Sequence, residues 1–105
     1  MYTIINDKKY NIITYSSFYK KSIGLMFRED IIKDIYLFDK CSSIHTFFMK
    51  QNIDICILNK NYKIIYVESN LKKNRIRIKK GYYTLEMPLN TACYLKVGNY
   101  FKIKK

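Results

Sequence analysis

The strongest constraint on the fold is a succession of short runs of β-branched and aromatic residues, separated by Asn, Asp, Lys or Gly. Runs of this length and composition, bounded by turn-forming residues, are typical of strands. Residues 75–79 alternate basic residues with isoleucine, as expected for a strand with one apolar and one charged face. We therefore predict eight or nine short strands, at residues 2–5, 10–15, 33–38, 46–49, 54–58, 63–68, 75–79, 82–87 and 97–104.

One stretch departs from the strand pattern. Ser16 and Ser17 fit a helix N-cap, and they precede a predicted short helix at residues 18–26, with Gly24 near its C-terminal end. Residues 90–93 are predicted to form a further turn of helix. The predicted fold is therefore mainly β, a small antiparallel sheet curled into a barrel or half-barrel with one or two short helices.

Length and composition limit the class of protein. The chain has 105 residues and a mass of 12.7 kDa, which predicts a single domain spanning residues 1–105. No apolar run reaches the ~18 residues of a membrane span, and Asp7, Lys8 and Lys9 stand where a signal peptide needs apolar residues. We expect a cytoplasmic protein with reduced cysteines and no membrane span.

The charge of the chain is distributed unevenly. Residues 1–58 contain eight basic and six acidic residues, whereas residues 59–105 contain twelve basic and two acidic residues. A basic half can attract nucleic acid or an anionic membrane. The abundance of Ile, Lys, Asn and Tyr, which have A/T-rich codons, offers a second explanation that requires no partner.

Residue types that catalysis requires are scarce. His45 is the only histidine, and Cys41 is the only cysteine close to it in sequence. The sequence contains no Cys-x-x-Cys pair for zinc and no glycine-rich phosphate loop. We predict no catalytic residue, no metal site and no cofactor, and keep an enzyme built around His45 as one alternative function.

The segment 72–80 contains six cations and no acid. On a strand, alternate residues lie about 6.6 Å apart on one face, close to the spacing of phosphates along a nucleic-acid strand. A charged edge strand that discourages aggregation is the competing interpretation, and we favour it. The candidate nucleic-acid contacts are Lys72, Lys73, Arg75, Arg77, Lys79 and Tyr82.

Four short motifs stand in order along the chain: Gly24-Leu25-Met26-Phe27-Arg28, the aromatic and apolar stretch 46–58, Leu85-Glu86-Met87-Pro88, and Val97-Gly98-Asn99. Together they resemble the bacterial and archaeal domain of unknown function 192 family. Phe48 stands where the family often has Trp, and Asn99 replaces the usual Asp. The resemblance implies a small β-rich domain over most of the chain, but it implies no biochemical activity.

Arg28 and Glu86 are opposite charges within otherwise apolar motifs, so we predict that they form an ion pair or a polar spot in an apolar groove. We expect a non-catalytic module, monomeric by default, that binds a small molecule, a peptide or a partner protein. Nucleic-acid binding through residues 72–80 is the second alternative. The predicted groove residues are Arg28, His45, Phe48, Met49, Lys50 and Glu86.

Overall fold

A tight hairpin opens the chain in the computed structural model, which describes residues 1–15, 32–39, 43–45, 51–72, 76–78 and 81–105, with backbone alone at 15, 43–45 and 76–78. Strand β1 (Tyr2–Ile5) pairs antiparallel with β2 (Lys8–Tyr15). Asn6 and Asp7 form the turn with φ of 51° and 62°. Two successive positive φ angles match the right-handed twist of a hairpin, and Asn and Asp tolerate them better than most residues.

The other described strands are β3 (Ile35–Asp39), β4 (Ser43–His45), β5 (Ile53–Leu58), β6 (Ile64–Leu71), β7 (Ile76–Ile78) and β8 (Tyr83–Met87). Four of them extend the hairpin into a six-stranded curled sheet in the order β1-β2-β3-β8-β5-β6. Neighbouring strands in this sheet are antiparallel except β2 and β3, which run parallel. A separate two-stranded antiparallel sheet pairs β4 with β7.

The C-terminal segment joins the two edges of the large sheet. At one edge, the Ile64 N–H donates to the Asn99 carbonyl over 2.8 Å, and the Phe101 N–H donates to the Tyr62 carbonyl over 2.8 Å. At the other edge, Tyr2 and Lys104 exchange two backbone hydrogen bonds of 2.8 Å. The prediction of a strand at 97–104 is therefore wrong, because the segment changes partner midway and forms only isolated bridges.

The two faces of the sheet carry separate apolar clusters. The first contains Leu37, Leu85 and Cys56, which are register neighbours across β3, β8 and β5, and it is covered by Phe101 of the C-terminal segment. The second lies on the opposite face and includes Tyr36, Phe38, Ile55 and Leu71. Burying each large apolar side chain contributes about 1.5–3 kcal/mol to the free energy of unfolding, so both faces stabilise the sheet.

The predicted mainly β half-barrel is confirmed. The predicted turn of helix at 90–93 corresponds to a 3-10 turn, Ala92–Tyr94. The predicted helix at 18–26 and the predicted strand at 46–49 lie outside the described residues. No helix among the described residues is long and apolar enough to cross a membrane.

Candidate functional site

An open cavity of about 630 Å³ lies at one end of the large sheet. Strands β2, β3 and β5 begin at this end and β8 finishes there. The lining comes from residues 8–11, 32–34, 51–52 and 88–90. Sites for small molecules in proteins have volumes of about 300–1,000 Å³, so this cavity is large enough for one.

Among the described residues that line the cavity, three lysines and one carboxylate give a net positive charge. The lysines are Lys8, Lys9 and Lys33, and the acid is Asp34. The Lys8 ammonium lies 5.3 Å from the centre of the Tyr10 ring, which also lines the cavity. An ammonium over an aromatic face gains about 0.5–1 kcal/mol when exposed, which favours this position for the charge.

Asp54 fixes one wall of the cavity. Its carboxylate is buried and accepts hydrogen bonds from the N–H groups of Thr91 at 3.0 Å, Ala92 at 2.9 Å and Asn70 at 2.8 Å. The Thr91 hydroxyl donates to the Pro88 carbonyl at 2.7 Å. Charge-assisted hydrogen bonds of this kind are about twice as strong as neutral ones, so Asp54 holds the segment that follows β8 in one conformation.

A second part of the cavity lining is held by a hydrogen bond between the segment that precedes β3 and the segment that precedes β5. The Ile32 N–H donates to the Gln51 side-chain oxygen at 3.1 Å. Next to it, the Asn52 amide donates to the Asn70 side-chain oxygen at 3.1 Å. The cavity is thus bounded by segments that are bonded to the sheet.

Glu86 lies away from the cavity, in the middle of the second apolar face. It is in register with Tyr36 on β3 and with Ile55 on β5, and all three side chains are buried. Removal from water disfavours the ionised form and raises the pKa of Glu86 from 4.5 to about 8. Glu86 is therefore mainly a neutral acid at pH 7.

Of the six predicted groove residues, His45 and Glu86 lie within the described residues. Arg28, Phe48, Met49 and Lys50 lie outside the described residues, so the Arg28–Glu86 pair stays a prediction. His45 is the last residue of β4, opposite Ile76 of β7. Within the described ranges, no group of three or more His, Cys, Asp or Glu residues could hold a metal ion.

The basic segment is also described only in part. Lys72 is exposed just after β6, and Arg77 lies in β7 opposite Ile44, whereas Lys73, Arg75 and Lys79 lie outside the described residues. The pairing of β4 with β7 thus brings the backbone of His45 next to the basic strand, which the sequence did not reveal.

Tyr82 belongs to a tyrosine cluster, here Tyr62, Tyr82 and Tyr83. The Tyr62 and Tyr83 rings stack with centroids 4.7 Å apart and planes 11° apart. Tyr82 meets Tyr83 edge to face at 4.7 Å. The Tyr62 and Tyr83 hydroxyls are hydrogen-bonded to each other at 3.3 Å, and this bond, followed by desolvation, raises the pKa of Tyr83 to about 12.

The sequence identified neither the cavity nor Tyr62 as a member of the tyrosine cluster. The cavity joins segments that are far apart in sequence, and local composition indicates it only through the polar residues of 8–11 and 51–52. Tyr62 follows the turn residues 59–61, where an aromatic residue is unusual, and that signal could have found it. Cys56 is fully buried in the first apolar cluster, and burial raises the pKa of its thiol to about 12.

Comparisons with known proteins relate the chain to proteins of uncharacterised function. The family model of DUF192, described as an uncharacterized ACR, matches residues 2–103. A UPF0127 protein of Pyrococcus horikoshii is 35% identical over 78 residues, which cover 69% of this chain and 67% of that protein.

Two crystal structures share the fold. One is a "putative transcription regulator" of Sinorhizobium meliloti, with a TM-score of 0.80, 15% identity, and coverage of 96% of this chain and 89% of that one. The other is a protein of unknown function from Novosphingobium aromaticivorans, with a TM-score of 0.77, 12% identity, and coverage of 97% and 82%. At such low identity, these similarities concern the fold alone.

Proposed function

The chain belongs to the DUF192 family, and we propose that it is a non-catalytic binding module that holds a small polar ligand in the cavity at the end of its sheet. The observation that carries the proposal is the cavity itself. Its volume of about 630 Å³ suits a small molecule, and it opens at a point where four chain segments meet.

The walls of the cavity support binding because hydrogen bonds within the chain hold them in place. Asp54 holds the segment after β8, and Gln51 holds the start of β3. A site whose groups are already fixed loses less conformational entropy on binding, and more of the interaction energy is then retained as affinity.

The charge of the lining indicates the kind of ligand. Lys8, Lys9 and Lys33 supply N–H donors and positive charge, and Asn11 and Asn52 supply amides. These groups favour a molecule rich in acceptor oxygens, such as a carboxylate or a phosphate.

The test is a thermal-shift screen of anionic, neutral and cationic metabolites. Leu89 lines the cavity and is partly exposed, so Leu89→Trp should obstruct the cavity without disturbing the core. Val97→Trp is the matched control, because Val97 is 64% exposed and is not part of the lining. We expect anionic compounds to raise the Tm of the wild type and of Val97→Trp, but not that of Leu89→Trp. An equal rise in all three proteins would contradict the proposed site.

A second candidate function is nucleic-acid binding through the basic segment. It is favoured by the proximity of Tyr82 to a cation, since the Lys60 ammonium lies 5.6 Å from the centre of its ring. The Sinorhizobium meliloti protein, which shares the fold, is described as a "putative transcription regulator". Lys72 and Arg77 are the described residues of the segment that would contact phosphates.

A further inference from the structure

The tyrosine cluster is placed where it can contact a ligand. It lies at the end of β5 and the start of β8, the opposite end of these strands from the cavity. Tyr62 is 36% exposed, and Tyr82 and Tyr83 are half-buried. The Tyr82 N–H donates to the Leu58 carbonyl at 2.8 Å, and Gly81 allows this close approach because a Cβ there would collide with the Ile57 side chain.

Tyr62 is held in the cluster at a conformational cost. Its φ is 66°, in the left-handed region that bulky residues rarely adopt. The Asn59 side-chain oxygen accepts the N–H groups of Asn61 at 2.9 Å and Lys63 at 3.0 Å, and the Tyr62 N–H donates to the Asn59 carbonyl at 3.0 Å. These bonds fix the turn, so the ring of Tyr62 is oriented before any ligand arrives.

We propose that Tyr62, Tyr82 and Tyr83 form a stacking platform for the bases of single-stranded nucleic acid, and that Lys60 and Lys63 contact the adjacent phosphates. The proposal rests on the second candidate function, nucleic-acid binding, and adds to it the site at which bases are held. Aromatic faces beside cations are the groups that single-strand binding proteins use, and every base offers a face that can stack.

The charges around the platform give the strand an orientation. Lys60 and Lys63 are exposed and lie in the turn that carries Tyr62. Asp39 is in register with Tyr83 on the neighbouring strand. A carboxylate there repels phosphates, so the phosphates follow the lysine side of the cluster and the bases reach towards Tyr83.

The test measures the affinity of the full chain for three fluorescent probes of equal length. They are a thymidine oligomer of about 15 nucleotides, an abasic strand with the same phosphates, and a duplex. We expect the thymidine oligomer to bind at least about fivefold more tightly than the abasic strand. Tyr82→Leu should lower its affinity to that of the abasic strand, whereas Tyr82→Phe should retain it.

Two further variants control for folding and for general loss of a tyrosine. Tyr62→Asn tolerates a positive φ but removes the ring, and it should also lose the preference for bases. Tyr94→Leu should bind as the wild type does, because Tyr94 is 54% exposed in the 3-10 turn outside the cluster. Equal affinity of the wild type for the abasic strand and the thymidine oligomer would overturn the platform and leave electrostatic nucleic-acid binding intact. No binding of any probe at about 50 mM salt would overturn nucleic-acid binding itself.

Discussion

Glu86 is an acidic residue buried among apolar side chains. It is buried between Tyr36 and Ile55, and burial raises its pKa to about 8. An ionised carboxylate in an apolar interior is costly, and protonation avoids most of that cost. Glu86 therefore binds a proton more tightly in the folded chain than in the unfolded chain.

This difference makes stability depend on pH. Between about pH 5 and pH 8 the folded chain keeps the proton of Glu86 and the unfolded chain has released it, so the free energy of unfolding falls as the pH rises. Glu86→Gln removes the titration and keeps the shape. We expect the wild type to lose up to about 1.4 kcal/mol per pH unit relative to Glu86→Gln over this range, and to level off above pH 8. Urea unfolding at a series of pH values measures the difference.

The matched control is Glu68→Gln. Glu68 lies on the same face, in register with Ile55, but it is only half-buried and accepts a hydrogen bond of 2.5 Å from the Tyr66 hydroxyl. It should not reproduce the pH dependence of Glu86→Gln. The opposite trend, in which the wild type gains stability over Glu86→Gln as the pH rises, would mean that a cation such as Arg28 keeps Glu86 ionised.

Among the elements of the fold, the C-terminal segment forms backbone hydrogen bonds at both edges of the large sheet. It pairs first with the turn before β6 and then with β1, and the Thr3 hydroxyl also donates to the Lys102 carbonyl at 2.7 Å. Gly98, with φ of 98°, donates its N–H to the Ile64 carbonyl where the segment begins. The segment thus satisfies backbone groups at the start of β1 and at the start of β6, the two edge strands of the large sheet.

Phe101 anchors this segment in the first apolar cluster, where it is 5% exposed. Phe101→Ala should lower the free energy of unfolding by about 3–5 kcal/mol, because it leaves a cavity beneath the segment. Its neighbour Tyr100 is 59% exposed, so Tyr100→Ala should change stability by about 0.5 kcal/mol or less. Urea unfolding of both variants checks the prediction. Equal losses of unfolding free energy in the two variants would contradict the conclusion that Phe101 anchors the C-terminal segment.

The sequence predicted the bounds of single strands better than the pairing between strands. Residues 2–5 form β1 as predicted, and residues 82–87 differ from β8 by one residue, because local composition determines such strands. The parallel pairing of β2 with β3 depends on a connection of about twenty residues, for which local composition gives no register. The segment 97–104 has the composition of a strand but divides its hydrogen bonds between two edges, so the prediction of a single strand was wrong.

At the scale of the whole molecule, the two proposed sites lie at opposite ends of β5 and β8. The cavity lies near Ile53 and Met87, and the tyrosine cluster lies near Leu58 and Tyr83. Substitutions at distant sites without shared partners usually have additive effects. Leu89→Trp and Tyr82→Leu therefore test the two functions independently in the same protein.

The central claim is that the cavity holds a small ligand, and native mass spectrometry of gently purified protein tests it most directly. We predict that the wild type and Val97→Trp carry the same additional mass, and that Leu89→Trp is the bare chain of 12.7 kDa. A bare chain for the wild type, or an additional mass that Leu89→Trp retains, would contradict the claim.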